Sequence, residues 1–143
     1  MKKLLAAIAI IGLAGCAEMK DKMPSWMPGS GAMKVSLTGA EEVPAVSTAA
    51  KGSGSFRVAE DGTVSGSVTT EGMQGTMAHI HQASKGQNGP VIVPLAKNGD
   101  TYSAPAGAKL TDAQMQAFKA GNLYVNVHTA ANKGGEVRGQ LQP

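Results

Sequence analysis

What most constrains the fold of this chain is a succession of short runs with two-residue periodicity, each closed off by glycine, proline or a polar turn. Residues 34–37, 54–58 and 64–70 alternate in character. Successive side chains of a β-strand point to opposite faces, so each run reads as a half-buried strand. Asp61-Gly62, between the last two, is a hairpin signal, since glycine accepts positive φ. Further strands are expected at residues 77–81, at 90–95 with prolines towards its ends, and briefly at 101–103. Residues 111–120 break the pattern. Thr111 and Gln114 have the spacing of a capping box, Met115 and Phe118 give an apolar face, and Gly121 supplies a stop, so one short helix is expected there. Two closing strands, 122–129 and 136–141, flank a turn at Gly134-Gly135. With 19 glycines and 2 phenylalanines, the chain favours thin turns and a modest aliphatic core. The expected fold class is all-β, an antiparallel Greek-key sandwich or barrel with one short helix.

Residues 33–143 suffice for one compact domain. Residues 1–15 differ: Lys2 and Lys3, an apolar run from Leu4 to Ile11, then L-A-G before Cys16. The run is too short to span a bilayer, so it reads as an export signal, removed from the mature chain. The L-A-G-C string resembles the bacterial lipoprotein box, in which the cysteine becomes the lipidated first residue. Cys16 is the only cysteine, so no disulfide can form within the chain. Ala17, rather than aspartate, follows it. In lipoproteins of this kind that favours the outer membrane, and a lipid-anchored envelope protein facing the periplasm is the expectation. Residues 16–32 read as the lipidated cysteine and a flexible tether, broken by Pro24, Pro28, Gly29 and Gly31. Its Met19, Met23 and Met27 either touch the lipid surface with Trp26 or collect Cu(I), for which thioethers are soft ligands.

The charge balance excludes one class of partner. The chain has 13 basic against 10 acidic residues, and Lys2 and Lys3 fall in the segment expected to be removed. With no basic stripe and little aromatic surface, nucleic acid is not implied.

All 3 histidines fall on expected strands, in A-H-I-H (His79, His81) and V-N-V-H (His128). Residues two apart share a face, so His79 and His81 form a pre-positioned pair to which His128 on a neighbouring strand adds a third imidazole. Imidazole nitrogen suits copper, zinc, iron and nickel. Alternation turns Ile80, Leu123, Val125, Val127, Val137 and Leu141 inward. Tyr124, Asn126, His128 and Arg138 then face out with His79 and His81, and the site is expected on the outer wall of the barrel. An inward-facing set would need hydrogen-bond partners that a Gly- and Ala-rich core supplies poorly.

At these residues the chain resembles the chordin-type, or CHRD, domain. The family pattern appears in order as L-T-G-A-E-E-V-P (37–44), A-H-I-H (78–81), G-Q-N-G-P-V-I-V (86–93), L-T-D-A-Q (110–114), G-N-L-Y-V-N-V-H-T (121–129) and G-E-V-R-G-Q-L (135–141). A second, weaker likeness is to the copper/zinc superoxide dismutases, whose H-x-H strand, later V-H strand and glycine-flanked arginine recur here in the same order. That likeness implies His79, His81 and His128 as ligands of one copper ion and Arg138 as the catalytic guide for superoxide. With no bridging histidine and no further ligand cluster, zinc is not expected. Glu42 and Glu136 are the carboxylates to test behind the ligands. Two other readings are kept: a copper carrier or buffer without catalysis, and a metal-free interaction module. Protein partners are not indicated.

Overall fold

The computed structural model describes residues 31–143. The expected signal, Cys16, Met19, Met23 and Met27 lie outside the described residues. The described chain forms nine strands, β1 (Met33–Thr38), β2 (Lys51–Val58), β3 (Val64–Glu71), β4 (Gly75–Gln82), β5 (Val91–Pro94), β6 (Ala96–Asn98), β7 (Thr101–Ser103), β8 (Leu123–Thr129) and β9 (Val137–Leu141). One helix, α1 (Asp112–Lys119), lies between β7 and β8. The strands build a single antiparallel sheet in the order β5-β4-β8-β9-β1-β2-β3-β7-β6.

The two edge strands of that sheet are neighbours in sequence. Leu95 alone separates β5 from β6, and its N–H donates to the carbonyl of Ala78 on β4 at 3.0 Å. The sheet therefore curls until its edges nearly meet, and the result is an almost closed barrel, which leaves little unpaired strand edge. The expected all-β fold with one helix is what the chain adopts.

Alternation sets the core. Leu37, Phe56, Val68, Ile80, Tyr102, Val125, Val127 and Val137 fill the interior from seven different strands. The Asp61-Gly62 hairpin forms as expected, with Gly62 at φ 90° and the Asp61 carboxylate accepting from the Thr63 N–H at 2.9 Å. In α1 the capping box is complete: the Thr111 hydroxyl accepts from Gln114 N–H at 3.2 Å, and the Gln114 side chain accepts from Thr111 N–H at 2.9 Å.

Two elements escape the hydrophobic pattern. β2 begins at Lys51 rather than 54 because its glycines carry no side chain to alternate. Gly54 lies so close to β3 that a Cβ there would stand 2.0 Å from the Ser67 carbonyl oxygen. β6 is wholly exposed and pairs only with β7, so nothing in its A-K-N sequence marks it as buried on either face.

Candidate metal centre

Every residue of β8 is buried, on both faces of the strand. Leu123, Val125 and Val127 face the barrel interior, as alternation requires. Tyr124, Asn126 and His128 face away from it but do not meet solvent: Tyr124 and Asn126 are 2% and 1% exposed. The histidine face is the outer wall, as expected, but it is covered. Loops cover it, supplied by residues 39–46, 83–90 and 130–136, and each closes over the wall through hydrogen bonds to side chains that point up from the sheet.

The three histidines stand together beneath this cover. Register places His79 of β4 opposite Asn126, His81 opposite Tyr124 and Met77 opposite His128. Ala78 and Ile80, between the histidines, are buried in the core. Ring centroids lie 5.5 Å apart for His79 and His81, 4.9 Å for His79 and His128, and 6.2 Å for His81 and His128. One ring nitrogen from each falls within 4.8 Å of the others. Nitrogens bound to one ion at about 2.0–2.1 Å lie at most roughly 4 Å apart, so a small rotation of the rings completes the set.

Backbone carbonyls decide which nitrogens face inward. His81 Nδ1 lies 2.9 Å from the Gly89 carbonyl oxygen and His128 Nδ1 lies 2.8 Å from that of Lys133. A carbonyl only accepts, so both Nδ1 atoms carry protons and both Nε2 atoms present lone pairs. His128 Nε2 faces His79 Nδ1 at 3.0 Å, and in the neutral state His79 donates across that gap. An ion held by these two rings would take the place of the shared proton. His81 Nε2 is buried without a hydrogen-bond partner among the described residues. Asn126 is the polar side chain beside it, and an unprotonated, buried ring nitrogen is what a metal ligand must offer. Burial, aided by the neighbouring rings, holds the His79 imidazole below its ordinary range. Burial does the same to His81, against the pull of the Gly89 carbonyl. Both shifts favour the neutral ring that ligation requires.

Arg138, expected as the anion guide, is held in a buried network of its own. It is 3% exposed and its donors are engaged: Nε on Glu42 Oε2 at 3.1 Å, Nη1 on the Gln87 carbonyl at 2.9 Å, and Nη2 on Asn88 Oδ1 and Glu42 Oε2. Its guanidinium lies 3.9 Å over the Tyr124 ring, on which His81 also stacks at 4.8 Å and 1°. Arg138 thus pins two covering loops to the sheet and packs against the ring that supports His81. Burial raises the Glu42 carboxyl above its ordinary value, opposed by Arg138.

Neither of the carboxylates expected behind the ligands bonds a ring nitrogen directly. Glu42 pairs with Arg138 and also interacts with Asn126, which in turn interacts with His81. Glu136 accepts from Thr48 Oγ1 at 3.3 Å and Asn132 Nδ2 at 3.4 Å, bracing the turn that presents the Lys133 carbonyl. The groups behind the rings are the carbonyls of Gly89 and Lys133, which no side-chain pattern could reveal. Tyr124 and Asn126, expected to face out with the histidines, do so but are buried beneath the loops. Their alternation with Leu123, Val125 and Val127, which puts them on the face of His128, is the available signal.

An almost closed β-barrel with a three-imidazole cluster under loops on its outer wall is a β-scaffold able to hold one metal ion. The chain matches the family model of the CHRD domain over residues 33–141 and belongs to that family. No curated protein and no solved structure matches it.

Proposed function

We propose that this chain is a cell-envelope copper protein that binds one copper ion at His79, His81 and His128 and uses it to dismute superoxide. The observation that carries the reading is the pair of backbone carbonyls that leave the Nε2 atoms of His81 and His128 unprotonated, in a cluster where one ring nitrogen of each of the three histidines lies within 4.8 Å of the others. Three neutral imidazoles suit Cu(I) as a trigonal set and Cu(II) once a further ligand joins, so one-electron exchange needs little motion. His79 is the half-buried member, and the approach for a small anion lies on its side. With Arg138 committed to Glu42 and the loops, attraction of the anion falls to the charge of the ion itself and to exposed cations such as Lys133, whose backbone holds His128. The L-A-G-C string supports attachment through lipid on Cys16.

The engagement of every nitrogen of Arg138 favours a second reading, a copper carrier without turnover. One experiment separates the two. The full chain is loaded with copper, stoichiometry is measured, and superoxide removal is compared with the His79→Ala and His128→Ala variants. The dismutase reading expects one copper per chain and removal that disappears in both variants. One copper per chain with removal no faster than in the variants leaves the carrier. No stoichiometric copper overturns both.

A further inference from the structure

The methionine of M-A-H-I-H belongs to the same constellation as the histidines. Ala78 and Ile80 are each 1% exposed in the core, so Met77, His79 and His81 project from the opposite face of β4. Met77 is also the direct cross-strand partner of His128. Side chains at directly opposed positions of antiparallel strands have Cβ atoms about 4.5–5.5 Å apart, within reach of a flexible methionine. It is one of two large apolar side chains exposed among the described residues, at 51%, and it contributes nothing to the core. Exposure alone would mean little, since single apolar side chains are common on surfaces. Its register is the informative fact: residue 77 lies two positions from His79, the least buried of the three, and directly across from His128.

Resting on the copper reading above, we propose that Met77 is a fourth ligand, its thioether closing a three-imidazole, one-thioether set that selects monovalent copper over zinc. Zinc is served by imidazole, thiolate and carboxylate, whereas thioether sulfur is soft and favours Cu(I). The three rings alone accept either metal. Met77 supplies the difference and, lying on an exposed stretch of β4, is the donor that an arriving Cu(I) meets before the buried rings.

The test uses the full chain with Met19, Met23 and Met27 replaced by leucine, so that tether thioethers do not compete, with and without Met77→Leu. Position 77 is exposed, so leucine there leaves the fold intact. Affinity for Cu(I) is measured without oxygen against a chromophoric Cu(I) chelator, affinity for Zn(II) by competition in parallel, and the neighbours of bound Cu(I) by X-ray absorption. Met77→Leu is expected to lower Cu(I) affinity by about tenfold or more, the scale on which loss even of a group behind a ligand acts. It is expected to leave Zn(II) affinity unchanged and to remove a sulfur neighbour from the copper spectrum. Unchanged Cu(I) affinity with nitrogen neighbours alone in both chains overturns the role of Met77 and leaves the three-histidine centre standing. Failure of the Met77-containing chain to take up Cu(I) overturns both.

Discussion

At the scale of single residues, the centre depends on atoms that belong to no histidine. The Gly89 carbonyl fixes the His81 tautomer, and residue 89 must be glycine because a Cβ there would stand 1.9 Å from the Gln82 carbonyl oxygen. Gly89→Ala therefore has to push the loop off the sheet, and copper affinity is expected to fall by about 10–100-fold, as when a partner behind a ligand is lost. Titration of the variant with copper checks this; an affinity equal to that of the parent chain would mean that the carbonyl does not position the ring. Arg138→Ala acts differently. Removing one member of a buried ion pair strands the other, and the expected loss of stability is about 3–5 kcal/mol. Arg138→Lys is not expected to restore it, because the ammonium lacks the planar fork that reaches Glu42, Gln87 and Asn88 together. Denaturant melts of the three chains measure the difference.

At the scale of elements, β4, β8 and β9 make the site and the loops finish it. The strands were legible because apolar alternation is strong in them: Ile80 and the Leu123, Val125, Val127 series fixed which way His79, His81 and His128 point. The hairpin at Asp61-Gly62 and the capping box of α1 were legible for the same reason, a local rule with few competing solutions. The cover was not. Loop contacts run through backbone carbonyls at 87, 89, 133 and 134, which every residue type possesses, so side-chain identity gives no hint of them. Arg138 and Glu42 are 96 positions apart, and only folding brings them together. The outward direction of the histidine face was therefore readable, whereas its burial was a product of tertiary structure. The same limit applies to Met77, whose parity with His79 is visible in the sequence but whose pairing with His128 depends on the irregular register between Gly75 and Met77.

At the scale of the whole molecule, a metal held by the three rings would compete with protons for the same nitrogens. His79 and His81 titrate below the ordinary imidazole value of 6.5, so the unfolded chain binds protons that the folded chain refuses. Their contribution to stability is complete above that value and is lost as pH falls through the lowered values of the folded state. Copper bound as proposed is expected to be lost in the same direction, since the ligands must be unprotonated. The Glu42 carboxyl, raised by burial, acts in the opposite sense in both forms, so the gain from copper is the quantity to follow: the difference in melting temperature between the copper-loaded and metal-free chains is expected to shrink from about pH 7 to about pH 5. Thermal melts of both forms across that window check the sign; a difference that grows on acidification would contradict it. Attachment is a separate matter: Cys16→Ser is expected to move the protein from the membrane to the soluble fraction, and its retention in the membrane would refute lipidation.

The most direct test of the central claim, one copper held jointly by three rings, is a copper titration of the full chain with Met19, Met23 and Met27 replaced by leucine, followed by melting temperature and metal content. It is compared with His79→Ala, His81→Ala and His128→Ala made singly in the same chain. The expected result is one copper per chain and a rise in stability of about 2.7 kcal/mol when free copper is about 100 times the dissociation constant, with both effects lost in each variant. Binding that persists undiminished when any one of the three rings is removed would contradict a shared centre.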